Sequence, residues 1–274
     1  MGVQFGPENA RNAAIARGLS LLAWLLWHLG LPVQVSGKAA EALALARRLS
    51  LPFSLALGLA FAAELHQYRH DAQLNRECAE AAIMLSTEQE FPFWLAWGTI
   101  LRGWSLAEQG SGEEGIVQIR RGLTVYEATG AELGWPYFLS LLAQIYGNAG
   151  QPEAGLDVLA DALVTAGNSG ERYFEAEANR LKGELLLRRA NPPSRMSTEC
   201  EAAEDCFRHA IEIARRQGAK SLELRSARSL AWLWRCQGRP AAARQMLAGL
   251  RQAFTDGFAT ADWQQAKALL ETIA

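Results

Sequence analysis

The sequence has few cysteines and prolines and no surplus of positive charge, and each shortage excludes a class of protein. The four cysteines in 274 residues form no CxxC pair and are too few for a disulfide scaffold, so reduced thiols are the simplest interpretation. Lysine and arginine number 27 against 29 acidic residues, which gives no reason to expect nucleic acid as a partner. Nine prolines and a hydrophobic share of 50% exclude a disordered chain.

Long hydrophobic runs are also missing. A membrane-spanning helix needs ~20 apolar residues. The stretch 19–27 is soon followed by Gly30 and Pro32, and the stretch 51–63 is interrupted by Pro52. The N-terminus lacks the basic region of a signal peptide. We therefore expect a cytoplasmic protein that neither crosses nor binds a membrane.

What the sequence does contain is an internal repeat. Leu51-Pro52-Phe53, Phe91-Pro92-Phe93 and Trp135-Pro136-Tyr137 place a proline between large apolar residues, and Arg172-Tyr173-Phe174 continues the series without proline. The steps between them are 40, 44 and 37 residues. A period of this size is typical of helical solenoids, and proline is well tolerated in the first turn of a helix.

Small residues recur at fixed offsets inside these repeats. Gly103, Gly110, Gly115 and Gly122 are followed at the same spacing by Ala143, Gly150, Gly155 and Ala162, and Ala231, Gly238 and Ala243 match the first three positions. Small residues let two helices approach closely, and a glycine ends the first of them. This is the tetratricopeptide pattern. It predicts an all-α, right-handed superhelical solenoid of about six tetratricopeptide-like helix pairs and a C-terminal capping helix.

We expect one helical-repeat domain over residues 1–274. The expected pairs are 9–50, 52–90, 92–131, 135–168, 171–217 and 219–255, and the cap is 260–273. A capping box, Thr198-x-x-Glu201, is expected to open the second helix of the fifth pair, after the proline-containing insert 191–196. Asp256-Gly257 would stop the chain before the cap.

Several segments resemble one group of proteins. They are 65–69 (LHQYR), 93–104 (FWLAWGTILRGW), 129–134 (TGAELG), 180–186 (RLKGELL), 219–225 (AKSLELR) and 254–262 (FTDGFATAD). Together they resemble the C-terminal tetratricopeptide region of bacterial signalling proteins in which a class III adenylate or guanylate cyclase, or a kinase, precedes a predicted AAA-type ATPase. The resemblance implies that any catalytic domains lie upstream and are absent from this chain. No phosphate-binding G-x-x-x-x-G-K-[ST] loop occurs here.

The sequence offers no convincing catalytic or metal site. His66 and His70 are four residues apart, but the glutamate of the zinc-protease motif is missing between them. Cys78 could reach these histidines only across a turn. We therefore expect no enzyme activity in this chain, no metal and no cofactor.

The candidate binding residues come from the concave face of the array. In tetratricopeptide repeats this face is formed by the second, fifth, ninth and twelfth positions of each first helix. Counting from the small residues gives Trp97, Ile100 and Trp104; Tyr137, Ser140 and Gln144, with Asn148 one residue beyond the twelfth position; Glu177, Arg180 and Glu184; and Arg225, Arg228, Trp232 and Arg235.

Two interpretations of the arginine-rich set remain open. Arginine with tryptophan is the usual composition of an interface anchor, which favours an acidic peptide or the parent protein's own upstream domains as partner. Alternatively, the arginines pair internally with Glu177, Glu184 and Glu223. The predicted function is a non-catalytic interaction or regulatory module. The alternative is a small-molecule sensor, as in helical-repeat bacterial transcription activators, with its ligand near Trp97 and Trp104.

Overall fold

Thirteen α-helices make up the part of the chain that the computed structural model describes, residues 7–190, 197–251 and 260–273. These ranges contain no strand and hold six successive helix pairs and one C-terminal helix, which confirms the predicted all-α helical-repeat class. The insert 191–196 and the Asp256-Gly257 stop lie outside the described residues. The helices are α1 (Pro7–His28), α2 (Pro32–Arg48), α3 (Pro52–Tyr68), α4 (Ala72–Glu88), α5 (Pro92–Glu108), α6 (Gly112–Ala128), α7 (Trp135–Asn148), α8 (Pro152–Ser169), α9 (Glu175–Arg189), α10 (Thr198–Gln217), α11 (Lys220–Cys236), α12 (Pro240–Arg251) and α13 (Ala261–Thr272).

The chain divides into two compact units. The first comprises Met1–Trp27 and Leu31–Ala131, and the second comprises His28–Gly30 and Glu132–Ala274. Consecutive helices pack against each other in both units, as α5 does against α6 in the first and α9 against α10 in the second. None of the described helices has the length and apolar character needed to cross a membrane.

Between residues 30 and 170, each turn that follows a helix contains a left-handed residue, and these residues recur every twenty positions. Positive φ angles occur at residues 30, 50, 70, 90, 110, 130, 150 and 170. At several of them the two hydrogen bonds of a Schellman motif close the helix. After α2, for example, Ser50 N–H donates to the Arg47 carbonyl and Leu51 N–H donates to the Ala46 carbonyl, both at 3.1 Å. The repeat seen in the sequence is therefore also a repeat of backbone conformation.

Close packing of helix pairs depends on the predicted small residues. A Cβ atom at Gly103 on α5 would lie 2.7 Å from Ile119 Cγ1 and 2.9 Å from the Gly115 carbonyl oxygen. A Cβ atom at Gly115 on α6 would lie 2.6 Å from the Gly103 carbonyl oxygen. The two backbones are thus too close for any side chain between them, which is why glycine occupies both positions.

The caps at the start of the last helices agree only partly with expectation. Helix α10 is capped by Ser197, whose Oγ accepts a hydrogen bond from Cys200 N–H, so the expected capping box beginning at Thr198 is wrong by one residue. Thr198 lies inside the helix, because Ser197 has the extended backbone of an N-cap. Helix α13 begins as expected after Thr260, whose Oγ1 accepts from Trp263 N–H.

Candidate functional site

Buried charges on α9 form the base of the candidate site. Glu177, Arg180 and Glu184 follow each other at spacings of three and four, which places them on one face of the helix. Arg180 donates from Nε and Nη2 to both carboxylate oxygens of Glu177, at 2.9 and 2.7 Å, and from Nη1 to Glu184. Ser229 on α11 adds a hydrogen bond to Glu184, at 2.9 Å. The predicted face of α9 is therefore satisfied mainly by ion pairs within the helix.

Arg225 extends this network to the last helix. Its Nε lies 2.8 Å from Asp262 Oδ2 on α13, and its Nη1 lies 3.5 Å from Glu177 Oε1 on α9. Only 2% of Arg225 is exposed, and Asp262 is also buried. We call these five side chains the ion cluster: Glu177, Arg180, Glu184, Arg225 and Asp262. It connects α9, α11 and α13.

Beside the ion cluster lies an open cavity of about 460 Å³. Its apolar walls are Leu187, Phe207 and Leu269, which come from α9, α10 and α13. Glu184 and Gln265 also line it, together with Arg188 and Ser229. Three of the predicted binding residues therefore line it: Glu184 on α9, and Arg228 and Trp232 on α11. We call it the Arg228 cavity.

Arg228 differs from the arginines around it. Arg180 and Arg225 belong to the ion cluster, Arg188 donates to Asn148 Oδ1 at 2.8 Å, and Arg235 donates to Thr272 Oγ1 at 2.9 Å. Arg228 has no ion pair and no hydrogen bond with any residue that the structure describes. A half-buried guanidinium without an anion is energetically unfavourable, and here it faces a cavity.

The pKa values of Arg180 and Arg228 are shifted in opposite directions. Burial by itself lowers the pKa of Arg180, but the carboxylates of Glu177 and Glu184 outweigh burial and raise it. Burial likewise lowers the pKa of Arg228, and the positive charge of Arg180 lowers it further. Arg180 is therefore neutralised by its ion pairs, whereas the attraction of Arg228 to Asp262 and Glu184 does not outweigh burial and the repulsion from neighbouring arginines.

Trp232 supplies an accessible aromatic surface next to Arg228. Its side chain is 42% exposed, in contrast to the buried tryptophans of the first unit. Because it lies one helical turn after Arg228, the indole and the guanidinium border the same cavity. Tryptophan and arginine together are the residues most enriched among interface anchors.

The other predicted positions are mostly occupied by packing. In the first unit Trp97 is 2% exposed and stacks on Phe61, with ring centres 5.8 Å apart, and Trp104 and Ile100 are completely buried. In the second unit Tyr137 is completely buried and contacts the Phe174 ring edge-on. Ser140 is also buried, Gln144 is half-buried, and Asn148 is exposed at the end of α7.

Two sequence hypotheses about pairing can now be compared with the contacts. Internal pairing does occur for Arg225, with Glu177 as expected and also with Asp262, which was not among the expected partners. Glu223 instead pairs with Arg215 and Lys220, at 2.7 and 3.0 Å. The observed partners of Glu223 are therefore not the arginines of the candidate set.

Sequence reasoning missed the apolar walls and the acidic partner on α13. Leu187 and Phe207 look like ordinary core residues in the sequence, because the pattern cannot distinguish the wall of a cavity from a filled interior. Asp262 directly follows Thr260 and Ala261 at the start of α13, where an acidic residue is common for capping reasons alone. The only sequence signal for the role of Asp262 is that its carboxylate lacks a basic partner within its own helix, which is expected to cap the array next to the arginine-rich helix.

The histidine pair does not form the arrangement considered from the sequence. Helix α3 ends at Tyr68, and His70 follows it with a φ of 57°, so His66 and His70 do not share a helical face. Burial lowers the pKa of His66. Within the described ranges, no three His, Cys, Asp or Glu side chains are grouped so that they could hold a metal ion.

Comparison with known sequences gives a relative but no family. No protein-family model matches the chain. An uncharacterised protein, R02095, of Rhizobium meliloti (strain 1021) is 25% identical over 227 residues, which cover 83% of this chain and 21% of that protein. The chain therefore spans about a fifth of the length of this curated relative.

Three solved structures share the helical-repeat arrangement at low sequence identity. The apo form of RapI has a TM-score of 0.62 at 11% identity, with 96% of this chain and 85% of that one covered. A Rap protein complexed with competence and sporulation factor has a TM-score of 0.54 at 14% identity, with 87% and 66% covered. A signal-transduction ATPase of Pyrococcus horikoshii with a tetratricopeptide-repeat sensor has a TM-score of 0.52 at 13% identity, with 96% and 39% covered. These likenesses show a tetratricopeptide-like fold.

Proposed function

We propose that this chain is a non-catalytic helical-repeat module that binds a segment of a partner protein, or a peptide, in the Arg228 cavity. The observation that carries the proposal is that the Arg228 guanidinium, which has no ion pair or hydrogen bond among the described residues, borders the same cavity as the exposed Trp232. The described lining of the cavity offers an aromatic surface, apolar walls and the guanidiniums of Arg188 and Arg228. This combination suits an acidic and apolar peptide segment.

Charge balance indicates how acidic the segment is. The described charged residues of the ion cluster and the cavity are Arg180, Arg188, Arg225 and Arg228 against Glu177, Glu184 and Asp262. They leave a surplus of one positive charge. A single carboxylate would neutralise it and could accept two hydrogen bonds from one guanidinium. A doubly charged phosphate would leave excess negative charge beside Glu184, so we favour an Asp or Glu side chain.

The wider context of the module is also a proposal. The resemblance to the C-terminal region of bacterial cyclase/ATPase proteins, the much longer relative and the likeness to a sensor-bearing ATPase all support a place within a larger cytoplasmic signalling protein. In that setting the bound segment belongs either to another protein or to the upstream domains of the same protein. The Rap structure complexed with competence and sporulation factor supports ligand binding by a fold of this kind.

Selection from a displayed library of random dodecapeptides tests the proposal even though the partner is unidentified. We expect the full chain to enrich peptides that combine an acidic residue with aromatic or aliphatic ones. Arg228→Gln should lose these peptides. Arg244→Gln, at an exposed arginine of α12, should keep them and serves as the matched control. If the wild-type chain enriches no peptide, peptide binding is refuted, and if Arg228→Gln retains the same peptides, the assigned site is wrong.

A small-molecule ligand remains the second candidate because of the cavity's size. Its volume of about 460 Å³ lies within the range of roughly 300–1,000 Å³ typical of small-ligand pockets. Thermal unfolding in the presence of a metabolite collection separates the two possibilities. A compound that raises the Tm of the wild-type chain but not of a Trp232→Ala variant would favour a sensor, since a bound ligand stabilises the folded state.

A further inference from the structure

Helix α13 forms one wall of the Arg228 cavity. Gln265 and Leu269 face the cavity from this helix, whereas the remaining lining residues come from α9, α10 and α11. Helix α13 packs against α11 and α12, where Trp263 and Ala266 are buried together with Leu224. The complete cavity therefore requires that this last helix be docked in its observed position.

The docking of α13 depends on the same charges that surround Arg228. At the start of the helix, Asp262 accepts a hydrogen bond from Arg225 at 2.8 Å. Arg225 also lies 3.5 Å from Glu177, which binds Arg180. At the other end, Arg235 donates to Thr272. Of these anchors, only the Arg225–Asp262 pair is almost completely buried, so it is the contact most sensitive to changes in the ion cluster.

A ligand carboxylate would change the electrostatics of this cluster. Arg228 is repelled by Arg180 and Arg225 and attracted by Asp262 and Glu184, as the balance of effects on its pKa shows. The attraction between Arg228 and Asp262 favours the docked position of α13, and a ligand carboxylate bound to Arg228 would weaken this attraction. Stabilisation of docked α13 by a ligand therefore has to come from apolar contact with the wall that α13 forms. The apolar part of the same ligand would contact Leu269 and so gain from α13 being docked.

We propose that occupancy of the Arg228 cavity and docking of α13 stabilise each other through contact of the ligand with Leu269 and Gln265, so that α13 reports the presence of the ligand. This inference rests on the proposed function. Because coupling between two equilibria is reciprocal, a ligand that stabilises docked α13 must bind less tightly when docking is weakened. The coupling can therefore be measured either as the effect of the ligand on the stability of α13 or as the effect of a weakened α13 on the affinity for the ligand.

Hydrogen exchange of the full chain measures it from the ligand side. The probe is the dodecapeptide that the wild-type chain enriches most. At saturating peptide we expect the amides of α13 to exchange at least about fivefold more slowly, the lower end of typical coupling. Amides of α4 in the first unit should not change. Unaltered exchange in α13 with bound peptide would overturn the coupling while leaving peptide binding intact.

A capping variant measures the coupling from the side of α13. Thr260→Ala removes the hydrogen bond to Trp263 N–H and weakens α13 without altering the ion cluster or the cavity lining. We expect its Kd for the peptide to rise several-fold. Asp71→Ala removes the equivalent cap of α4, from Asp71 to Leu74 N–H, and should leave the Kd unchanged. Equal Kd values for wild type and Thr260→Ala would refute the coupling, and a library without any binder would refute the proposed function as well.

Discussion

Arg180 and Glu177 form a two-point ion pair one helical turn apart on α9, with N–O distances of 2.9 and 2.7 Å and both side chains almost completely buried. Glu177 also lies 3.5 Å from Arg225, so one carboxylate serves two guanidiniums. Removing it leaves two buried cations with reduced compensation. The structure therefore depends more on this carboxylate than on any exposed one.

We expect Glu177→Gln to lower the free energy of unfolding by about 3–5 kcal/mol, the usual cost of breaking a buried pair on one side. Urea unfolding followed by circular dichroism measures it. The matched control is Glu41→Gln, which breaks the exposed Lys38–Glu41 pair and should change stability by less than about 1 kcal/mol. Similar losses of stability in both variants would show that the buried pair on α9 contributes no more to stability than the exposed pair.

The sequence predicts half of this arrangement. Spacings of three and four residues place Glu177, Arg180 and Glu184 on one helical face whatever the tertiary structure. Glu177 is among the partners that the sequence suggests for the arginine-rich set, but Asp262 as the second partner of Arg225 could not be predicted, because no repeat relates α13 to a position on α11. The spacing also selected Trp97 and Trp104, but it cannot tell whether large side chains leave a groove open or fill it. Exposure distinguishes Trp232 from them, and exposure follows from packing.

The small-residue pattern makes a stability prediction for the first unit. Gly103→Ala should be strongly destabilising, by about 2 kcal/mol or more, because the new Cβ would lie 2.9 Å from the Gly115 carbonyl oxygen and from Ile119 N, both backbone atoms. Gly37→Ala is the control, since a Cβ there meets nothing within 4 Å inside helix α2. It should stabilise by about 0.5–1 kcal/mol through helix propensity. Thermal unfolding of the two variants should thus shift in opposite directions.

The left-handed turns predict a stabilising substitution. Glu90 has a φ of 56° after α4, a conformation that disfavours side chains bearing a Cβ. We expect Glu90→Gly to raise the free energy of unfolding by up to about 1 kcal/mol. Gly110→Ala, at the equivalent position after α5 with a φ of 99°, should lower it. A Tm that falls in Glu90→Gly would show that strain at this turn is compensated elsewhere.

Buried His28 predicts a dependence of stability on pH. Burial, aided by the positive charge of Arg225, lowers the pKa of His28 from 6.5 to about 3. The unfolded chain therefore takes up a proton as the pH falls below 6.5, while the folded chain does not. Stability attributable to this group is complete above that value. It should be lost on acidification toward pH 3 by about 1.4 kcal/mol per pH unit.

Urea unfolding between pH 7 and pH 5 measures this loss before most carboxylates titrate. The variant His28→Gln should show a smaller decrease than wild type over this interval. His209→Gln, at an exposed histidine of α10, should follow wild type. If His28→Gln shows the wild-type decrease, the acid sensitivity comes from other groups.

The half-buried position and lowered pKa of Arg228 predict that stability and binding respond in opposite directions to one substitution. Arg228→Met keeps most of the apolar contact and removes a half-buried cation that has no partner among the described residues, so we expect stability to rise by about 1 kcal/mol. The same variant should lose the acidic peptides that the wild-type chain selects.

Arg180→Met is the contrast, because Arg180 is paired with Glu177 and Glu184 and its removal should destabilise the fold. A residue that costs stability in the free protein and provides the anion contact in the complex is characteristic of a binding site. If Arg228→Met were less stable than wild type, Arg228 would be a structural residue and the cavity would lose its proposed anchor.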